Sequence, residues 1–366
     1  MNTDDQTTGR AASSAPAKLT AQQLDRAVGA IIGMAAGDAL GSQYEFGPEH
    51  ADDFVPEFGI GHFGHAVGEW TDDTAMAMPI LEVLAAGESL RDGEVLAGRV
   101  LGRWLEWAAT ARDVGAQTRS VFWRLDRDST EEDARAAAKA YHESAGKSAG
   151  NGSLMRTAPV ALGYLADGRE QALIEAAGRV AQLTHWETSN LTATALWCLL
   201  IRQAIRTGDF DPQDQLRHLA DADRGLDAAE LLDRSAGGHP RDYQQKNGWV
   251  VRAFQAALVA VEGATDFRDA IHRAIQGGGD TDTVAAITGG LAGAKWGVSQ
   301  IPLGWQRRLH GWPGYDANDL ARLAVLAARR GAADGSGWPS GASVLDPSFL
   351  HTDPVRHPAD PGVWLG

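Results

Sequence analysis

GGGDTDTVAAITGGLAG, residues 277–293, runs three glycines into Asp280, Thr281, Asp282 and Thr283, and then continues in alanine, glycine and a few aliphatic residues. Polar residues followed by small ones form the pattern of a helix start. Asp and Thr oxygens accept from the unpaired N–H groups of a first turn, and acidic side chains suit the positive end of the helix dipole. By itself the segment reads as a capped helix. It has a counterpart, GEWTDDTAMAMPILEVLAAG at 68–87, where Thr71, Asp72, Asp73 and Thr74 open a second apolar run. Two hydroxyl-carboxylate clusters, one in each half of the chain, exceed what capping requires.

Helical spacing extends through most of the sequence. LDRAVGAIIGMAAGDALG, VLAGRVLGRWLEWAAT, LIEAAGRVAQLTH, LTATALWCLLIRQAIRTG, WVVRAFQAALVAVEG and FRDAIHRAIQGG each place small or apolar residues at i, i+3, i+4 and i+7. Strand-like alternation is nearly absent. The 43 glycines, about 12% of the chain against an average of about 7%, suggest closely packed helices and backbone-lined loops. The expectation is an all-α fold, a compact orthogonal bundle forming one domain over about 24–315. A disordered tail precedes it at 1–23, and a C-terminal helix with a Pro- and Gly-rich extension follows at 316–366. The connection at 46–69 is too long for a simple bundle turn, and loops of that length are usually functional.

Composition narrows the function classes. Lys plus Arg number 33 and Asp plus Glu 48, and the net charge of −15 repels nucleic-acid backbones and anionic membranes. Cys198 is the single cysteine and lies in ATALWCLLI, where it reads as a small core residue, so no intramolecular disulfide can form and a cytoplasmic setting is expected. The N-terminal residues lack the apolar stretch of a secretory signal, and no run reaches the roughly 20 apolar residues that span a bilayer. The twelve tryptophans read as core.

If the two clusters meet, Asp72, Asp73, Asp280 and Asp282 repel one another. Two carboxylates about 4 Å apart cost roughly 4 kcal/mol at an effective dielectric near 20, a large part of a typical folding free energy of about 5 to 15 kcal/mol. Convergence therefore implies cations. All-oxygen ligands select a hard ion, Mg²⁺ or Mn²⁺ before Ca²⁺. Asp280 and Thr283, three residues apart, can share one side of a first helical turn, and a carboxylate such as Asp282 can bridge two ions about 3.5 to 4 Å apart.

Five segments in order, GMAAGDALGSQYEF (33–46), GEWTDDTAMAM (68–78), GNGSLMRTAPVAL (150–162), LTHWETSN (183–190) and GGDTDTVAAITGGLAGAKWG (278–297), resemble the ADP-ribosylglycohydrolase family. That resemblance implies an all-α enzyme with a binuclear Mg²⁺ or Mn²⁺ centre that cleaves the glycosidic bond between ADP-ribose and an acceptor. It assigns Thr71, Asp72 and Asp73 to the first ion, Asp282 to the bridge, and Asp280 and Thr283 to the second. Asp73 and Asp282 thereby become catalytic positions. Glu45 in GSQYEF matches a glutamate that gates entry or transfers a proton; the alternative is an exposed loop carboxylate. Asp38, on a helix lined by Gly and Ala, is expected to orient ligands, since a bare charge there would be costly.

Gly150, Asn151, Gly152 and Ser153 resemble the family's diphosphate cradle, in which backbone N–H groups and the dipole of the following helix face the phosphates; without the resemblance they would be a turn. His185 matches a histidine near the nucleotide, its alternative being a cap or surface residue. Arg156 either supports this loop or pairs with a core carboxylate. The wording of the motifs is nearer the bacterial, arginine-directed branch, so ADP-ribosylated arginine on protein is the first expected substrate. ADP-ribosylserine and O-acetyl-ADP-ribose are the alternatives, as are a non-catalytic ADP-ribose reader and a crystallin-like structural protein. The expected enzyme is a monomer, and the segments 46–69, 112–149 and the C-terminal extension have no assigned role.

Overall fold

The computed structural model describes residues 19–219, 224–233 and 238–331. The expected N-terminal tail up to residue 18 and the extension from 332 onward lie outside the described residues. Ten helices have ten or more residues: α1 (Ala21–Gly41), α2 (Asp72–Ala85), α3 (Glu131–Ala145), α4 (Glu170–Gln182), α5 (Thr188–Thr207), α6 (Arg224–Asp233), α7 (Val250–Glu262), α8 (Phe267–Gln276), α9 (Thr281–Trp296) and α10 (Ala317–Ala328). Among the described residues the only sheet is a pair of two-residue strands, His310–Gly311 and Tyr315–Asp316. The all-α expectation therefore holds. α1 begins at Ala21, three residues before the expected boundary at 24, because Thr20 and Gln23 form a reciprocal cap at its start.

The tightest pairing in the core is between α1 and α9. Gly29, Gly33, Gly37 and Gly41 recur every fourth residue along α1, and they meet Gly293, Gly289, Ala285 and Thr281 of α9 in reverse order. The helices are therefore antiparallel along a flat seam. A Cβ on Gly41 would lie 2.6 Å from the Thr281 carbonyl oxygen and 2.7 Å from the Asp282 Cα. At Gly33, Gly37, Gly289 and Gly293 an added Cβ would run into backbone carbonyls of the opposite helix. Absent side chains are what let the two backbones touch, and interiors have no slack to absorb an added methyl. The Thr281 hydroxyl closes the seam by donating to the Gly41 carbonyl at 2.9 Å, pairing one of the carbonyls a helix end leaves free.

Around this seam the remaining helices complete a continuous apolar core that includes α10 residues Leu320, Ala324 and Ala327. Cys198 is fully buried there, and burial pushes its thiol up to about 12. Trp70, Trp104, Trp107 and Trp197 are buried as expected, whereas Trp123 is 84% exposed. The 46–69 connection is pinned at both ends. Phe46 donates its N–H to the Gly279 carbonyl at 2.6 Å and Gly279 returns a bond to Gly47 at 3.0 Å, while Trp70 donates to His310 at 3.0 Å.

Gly289→Ala is expected to lower stability by about 1–3 kcal/mol or more, the range for overpacking. Gly178→Ala, inside α4 where an added Cβ meets nothing within 4 Å, should leave stability unchanged or raise it by up to about 1 kcal/mol. Urea denaturation of both variants checks the pair, and equal effects would contradict the seam.

Candidate functional site

The seam places the N-terminus of α9 beside the C-terminal half of α1, and α1 carries Asp38. The Asp38 carboxylate is fully buried and accepts from three groups of the second cluster. Oδ1 takes the Thr71 N–H at 2.9 Å and the Thr71 hydroxyl at 2.7 Å, and Oδ2 takes the Thr74 N–H at 3.0 Å. Asp38 is thus the acid that caps α2, and Thr71, although it stands at the N-cap position, makes no side-chain capping bond. The capping task falls to another helix, which leaves Asp72 and Asp73 free for something else. On α9, the Asp282 Oδ1 accepts from the Thr283 N–H at 2.8 Å. Asp280 Oδ2 accepts from the Asn151 side chain at 2.8 Å.

The two clusters do meet. Glu45, Asp280 and Asp282 each present an oxygen within 4.8 Å of the others. Asp73 feels both Asp38 and Asp280, and Asp282 feels Asp73, Glu45, Asp280 and Asp38. Burial, and after it these neighbouring charges, hold the Asp72, Asp73 and Asp282 carboxyls well above the usual range. Burial also raises Asp38, Asp113 and Asp280. Glu45, half-buried, is pushed up to about 8 by burial and then by Asp280 and Asp113.

One detail tests whether these residues suit a cation. Asp73 Oδ1 is buried and has no hydrogen-bond partner among the described residues, and the Thr74 hydroxyl is in the same condition. A buried carboxylate oxygen without a partner carries a full desolvation cost. A hard divalent cation is the partner that an all-oxygen donor set of this charge would take.

The acids border a cavity of about 390 Å³. On one flank Gly150, Gly152 and His185 face it; on the other stand Phe46 and Phe63; Glu45, Asp72, Asp280, Asp282 and Thr283 also line it. Thr71 and Asp73 do not line the cavity and are buried, at 3% and 0% exposure. Phe46 is 64% exposed and holds a left-handed backbone, φ 60°, a conformation that costs a bulky residue energy and clusters at functional positions.

The cradle differs from expectation in two ways. Ser153 does not line the cavity; its hydroxyl is buried and accepts from Asn190 Nδ2 at 2.7 Å. The same amide also donates to the Gly150 carbonyl at 2.7 Å, so Asn190 claims Ser153 for the loop's own support. No long helix follows the loop to lend a dipole either. Asn151–Ser153 is a single 3₁₀ turn, and the next helix, Ala158–Leu162, has five residues with Pro159 in its first turn. Asn151 spends its side chain on Asp280 and on the Asn247 carbonyl, at 2.8 and 3.2 Å.

His185 is neither a cap nor a surface residue. It is 1% exposed, and burial and then the nearby Arg156 charge keep it well below its ordinary value. Arg156 has no carboxylate within ion-pair distance among the described residues. Its guanidinium stacks 4.1 Å over Trp104 and donates to the Thr184 hydroxyl at 2.6 Å.

Three contributors carried no sequence expectation. Asp113 accepts the Asp72 N–H at 3.0 Å and lies 3.4 Å from His65 Nε2. Asn247 braces the glycine turn, donating to the Gly278 carbonyl at 2.9 Å and accepting from the Asp280 N–H at 3.0 Å. Gln117 accepts from the Gly150 N–H at 3.4 Å. Asp113 and Asn247 lie in irregular segments, and Gln117 stands near the start of a seven-residue helix, Ala116–Phe122, too short for spacing to mark a face; Asn190, by contrast, lies inside the LTHWETSN stretch.

An all-α protein whose two acidic helix starts converge on a glycine-flanked cavity defines a class, helical proteins with a cluster of carboxylates that could hold a metal ion. Within that class, the family model described as ADP-ribosylglycohydrolase matches residues 19–334. The chain belongs to the ADP-ribosylglycohydrolase family. The match extends past residue 315 to take in α10, which packs into the same core. The chain is 33% identical over 299 residues to the ADP-ribosylarginine hydrolase Tri1 of Pseudomonas putida strain GB-1, covering 79% of this chain and 75% of that protein. It is 29% identical over 299 residues to the ADP-ribosyl-[dinitrogen reductase] glycohydrolase of Rhodospirillum rubrum, covering 78% and 90%. A solved structure titled ADP-ribosylglycohydrolase-related protein complex superposes with a TM-score of 0.64 at 29% identity, over 85% of this chain and all of that one.

The raised carboxyl groups set a pH signature. Each folded-state value lies above its unfolded value, so the site's contribution to stability is greatest below the unfolded value and is lost as pH rises through the folded one. For Glu45 the interval runs from 4.5 to about 8. The increase in melting temperature produced by Mg²⁺ or Mn²⁺ should therefore grow between about pH 5 and pH 8. Calorimetric scans with metal and with EDTA check this, and a metal effect that is flat with pH contradicts it.

Proposed function

We propose that the protein is a hydrolase that cleaves the glycosidic bond between ADP-ribose and the guanidinium of an arginine side chain, using two divalent cations, Mg²⁺ or Mn²⁺. The observation that carries this reading is the meeting of Glu45, Asp280 and Asp282 at one cavity, with the unpartnered Asp73 oxygen buried within electrostatic reach of Asp280 and Asp282. Thr71, Asp72 and Asp73 would hold one ion and Asp280 and Thr283 the other, with Asp282 shared. Bound there, such ions supply positive charge that steadies ribose oxygens and acidifies water.

The chain's own groups do the remaining work. In the glycine loop Gly150 and Asn151 already donate their N–H groups to Gln117 and to the Gly248 carbonyl, at 3.4 and 3.0 Å, so what the loop offers a diphosphate is the space its missing side chains leave and the Gly152 backbone. The carboxylates around the cavity favour the positive charge that develops on a ribose ring as its glycosidic bond breaks. Glu45 faces the cavity and holds its proton up to about 8, which suits a group that passes a proton to a leaving nitrogen and gates entry.

Two observations favour arginine over serine or acetyl acceptors. The Tri1 relatives at 33% and 30% identity are named for ADP-ribosylarginine. The aromatic flank, Phe46 and Phe63, stands on a cavity that also holds Glu45, Asp72 and Asp113, and exposed rings among carboxylates suit a guanidinium cation. Both arginines that line the cavity have partners of their own: Arg112 is held by Glu69 at 3.2 Å and by the Gly64 carbonyl at 3.0 Å, and Arg119 donates to the Val114 carbonyl at 3.0 Å. The substrate is then an ADP-ribosylated protein or a small ADP-ribose conjugate. We place the enzyme in the cytoplasm as a monomer, a reading its charge of −15 supports.

Release of free ADP-ribose from an ADP-ribosylarginine peptide should require Mg²⁺ or Mn²⁺, stop in EDTA, and outpace release from serine- or acetyl-linked conjugates. Binding of ADP-ribose without metal-dependent release would make the protein a reader instead. Asp73→Asn and Asp282→Asn should each lower turnover on the order of 100-fold or more while circular dichroism stays helical. Near-normal rates in either variant would overturn the ligand assignment.

A further inference from the structure

Arg156 is the largest charged side chain in the core, fully buried, with an Nε that has no partner among the described residues. Burying a guanidinium without a carboxylate is costly, so its surroundings matter. Its plane lies over Trp104, one Nη contacts Met76 sulfur at 3.6 Å, and the other donates to Thr184 Oγ1 at 2.6 Å and, more weakly, to the Val180 carbonyl at 3.4 Å. The Thr184 oxygen in turn lies 2.7 Å from His185 Nδ1. Both residues are buried, and among the described residues the Thr184 hydroxyl makes no hydrogen bond to any other group.

Proton direction along this chain is forced. A guanidinium has no lone pair to offer and can only donate. Thr184 therefore accepts from Arg156, and its single hydroxyl proton is left to point at His185 Nδ1. Nδ1 must then be the bare acceptor of a neutral ring, which places the ring's proton on Nε2. The ring edge bearing Nε2 lies against the glycine loop: a Cβ built on Gly150 or Gly152 would come within 3.4 or 3.3 Å of it. His185 lines the cavity with those glycines.

The geometry points to Arg156 as a positioning residue that, through Thr184, locks His185 in the Nε2–H tautomer and aims that N–H as a donor at an anionic ligand in the Gly150–Gly152 loop. The direction of the pKa shifts agrees. His185 is held well below its ordinary value by burial and by Arg156, so the ring is neutral, and Arg156, lowered to about 9 by burial, keeps its charge at neutral pH. The ligand chemistry is that of a phosphate ester, and its identification with the diphosphate of ADP-ribose rests on the function proposed above.

Two-bond ¹H–¹⁵N correlation spectra of histidine-labelled, full-length protein at pH 7 test the lock, with the His185 signal identified by its loss in His185→Gln. The expected wild-type spectrum shows a neutral ring protonated at Nε2 with Nδ1 shifted as a hydrogen-bonded acceptor. Thr184→Val should move Nδ1 toward its unbonded position and weaken ADP-ribose binding by about 5-fold, the value of one ordinary hydrogen bond; Thr184→Ser should restore both. A wild-type ring protonated at Nδ1 or at both nitrogens would overturn the inference. So would a Thr184→Val variant with wild-type shifts and affinity. Failure of the wild type to bind ADP-ribose would sink the proposed function, while the tautomer spectrum would still decide the lock.

Discussion

Direct backbone contact between α1 and α9 is the constraint on which the rest of the molecule depends. Four small residues on each helix, spaced every fourth position, remove the side chains that normally hold axes apart. The antiparallel seam brings the last turn of α1 against the first turn of α9, with Gly41 on the backbone of Thr281 and Asp282. Asp38, one turn earlier on α1, then reaches the start of α2. Three polypeptide stretches far apart in sequence thus share one acidic corner, and the approach of the two helix starts is set by packing that involves no charge.

That corner stores electrostatic cost. In an apolar core a carboxylate is tolerated when it is bonded on all sides or when a cation compensates it. Asp38 follows the first route by accepting three hydrogen bonds from the Thr71–Thr74 turn. Asp73 does not, because its Oδ1 faces no donor among the described residues. The same residue type at nearly the same depth is therefore satisfied in one place and left with an open oxygen in the other, and hydrogen bonding tells the two apart. Glu45 and Phe46 approach from a loop tied to the Gly279 backbone, so the turn that positions Asp280 also positions this edge of the cavity. Asn247 and Asn151 brace that turn from the side of the glycine loop.

The glycine loop is supported by side-chain amides where a long helix dipole was expected. Asn190 fixes Gly150 and Ser153, Gln117 meets the Gly150 N–H, and Asn151 reaches across to Asp280. This network couples the loop to the acid corner directly, from Asn151 to Asp280, and through Asn247, so a ligand spanning both would meet a pre-set distance between them. Arg156 adds a fixed positive charge beneath the loop without exposing it, stacked on Trp104.

The helices at 21–41, 72–85 and 281–296 were legible because periodic apolar residues and polar starts are local properties of a chain. The acidic clusters were legible too, since two TDD- and DTDT-like starts are more than caps need, and the ordered motifs identified Asp38, Glu45 and His185 as residues of interest. The roles of Asp113, Asn247 and Gln117 were not legible, because each acts on a partner more than thirty residues away, the first two from irregular segments and Gln117 from a seven-residue helix. That the Ser153 hydroxyl is taken up by Asn190 of α5 was not legible either, because that partner lies 37 residues away. The sequence by itself determined helix content, the small-residue faces and the chemistry available. Tertiary structure alone decided which carboxylates are satisfied and which are not, which way Arg156 and Ser153 face, and where the cavity opens, because hydrogen-bond satisfaction is a property of three-dimensional neighbours and no spacing rule encodes it.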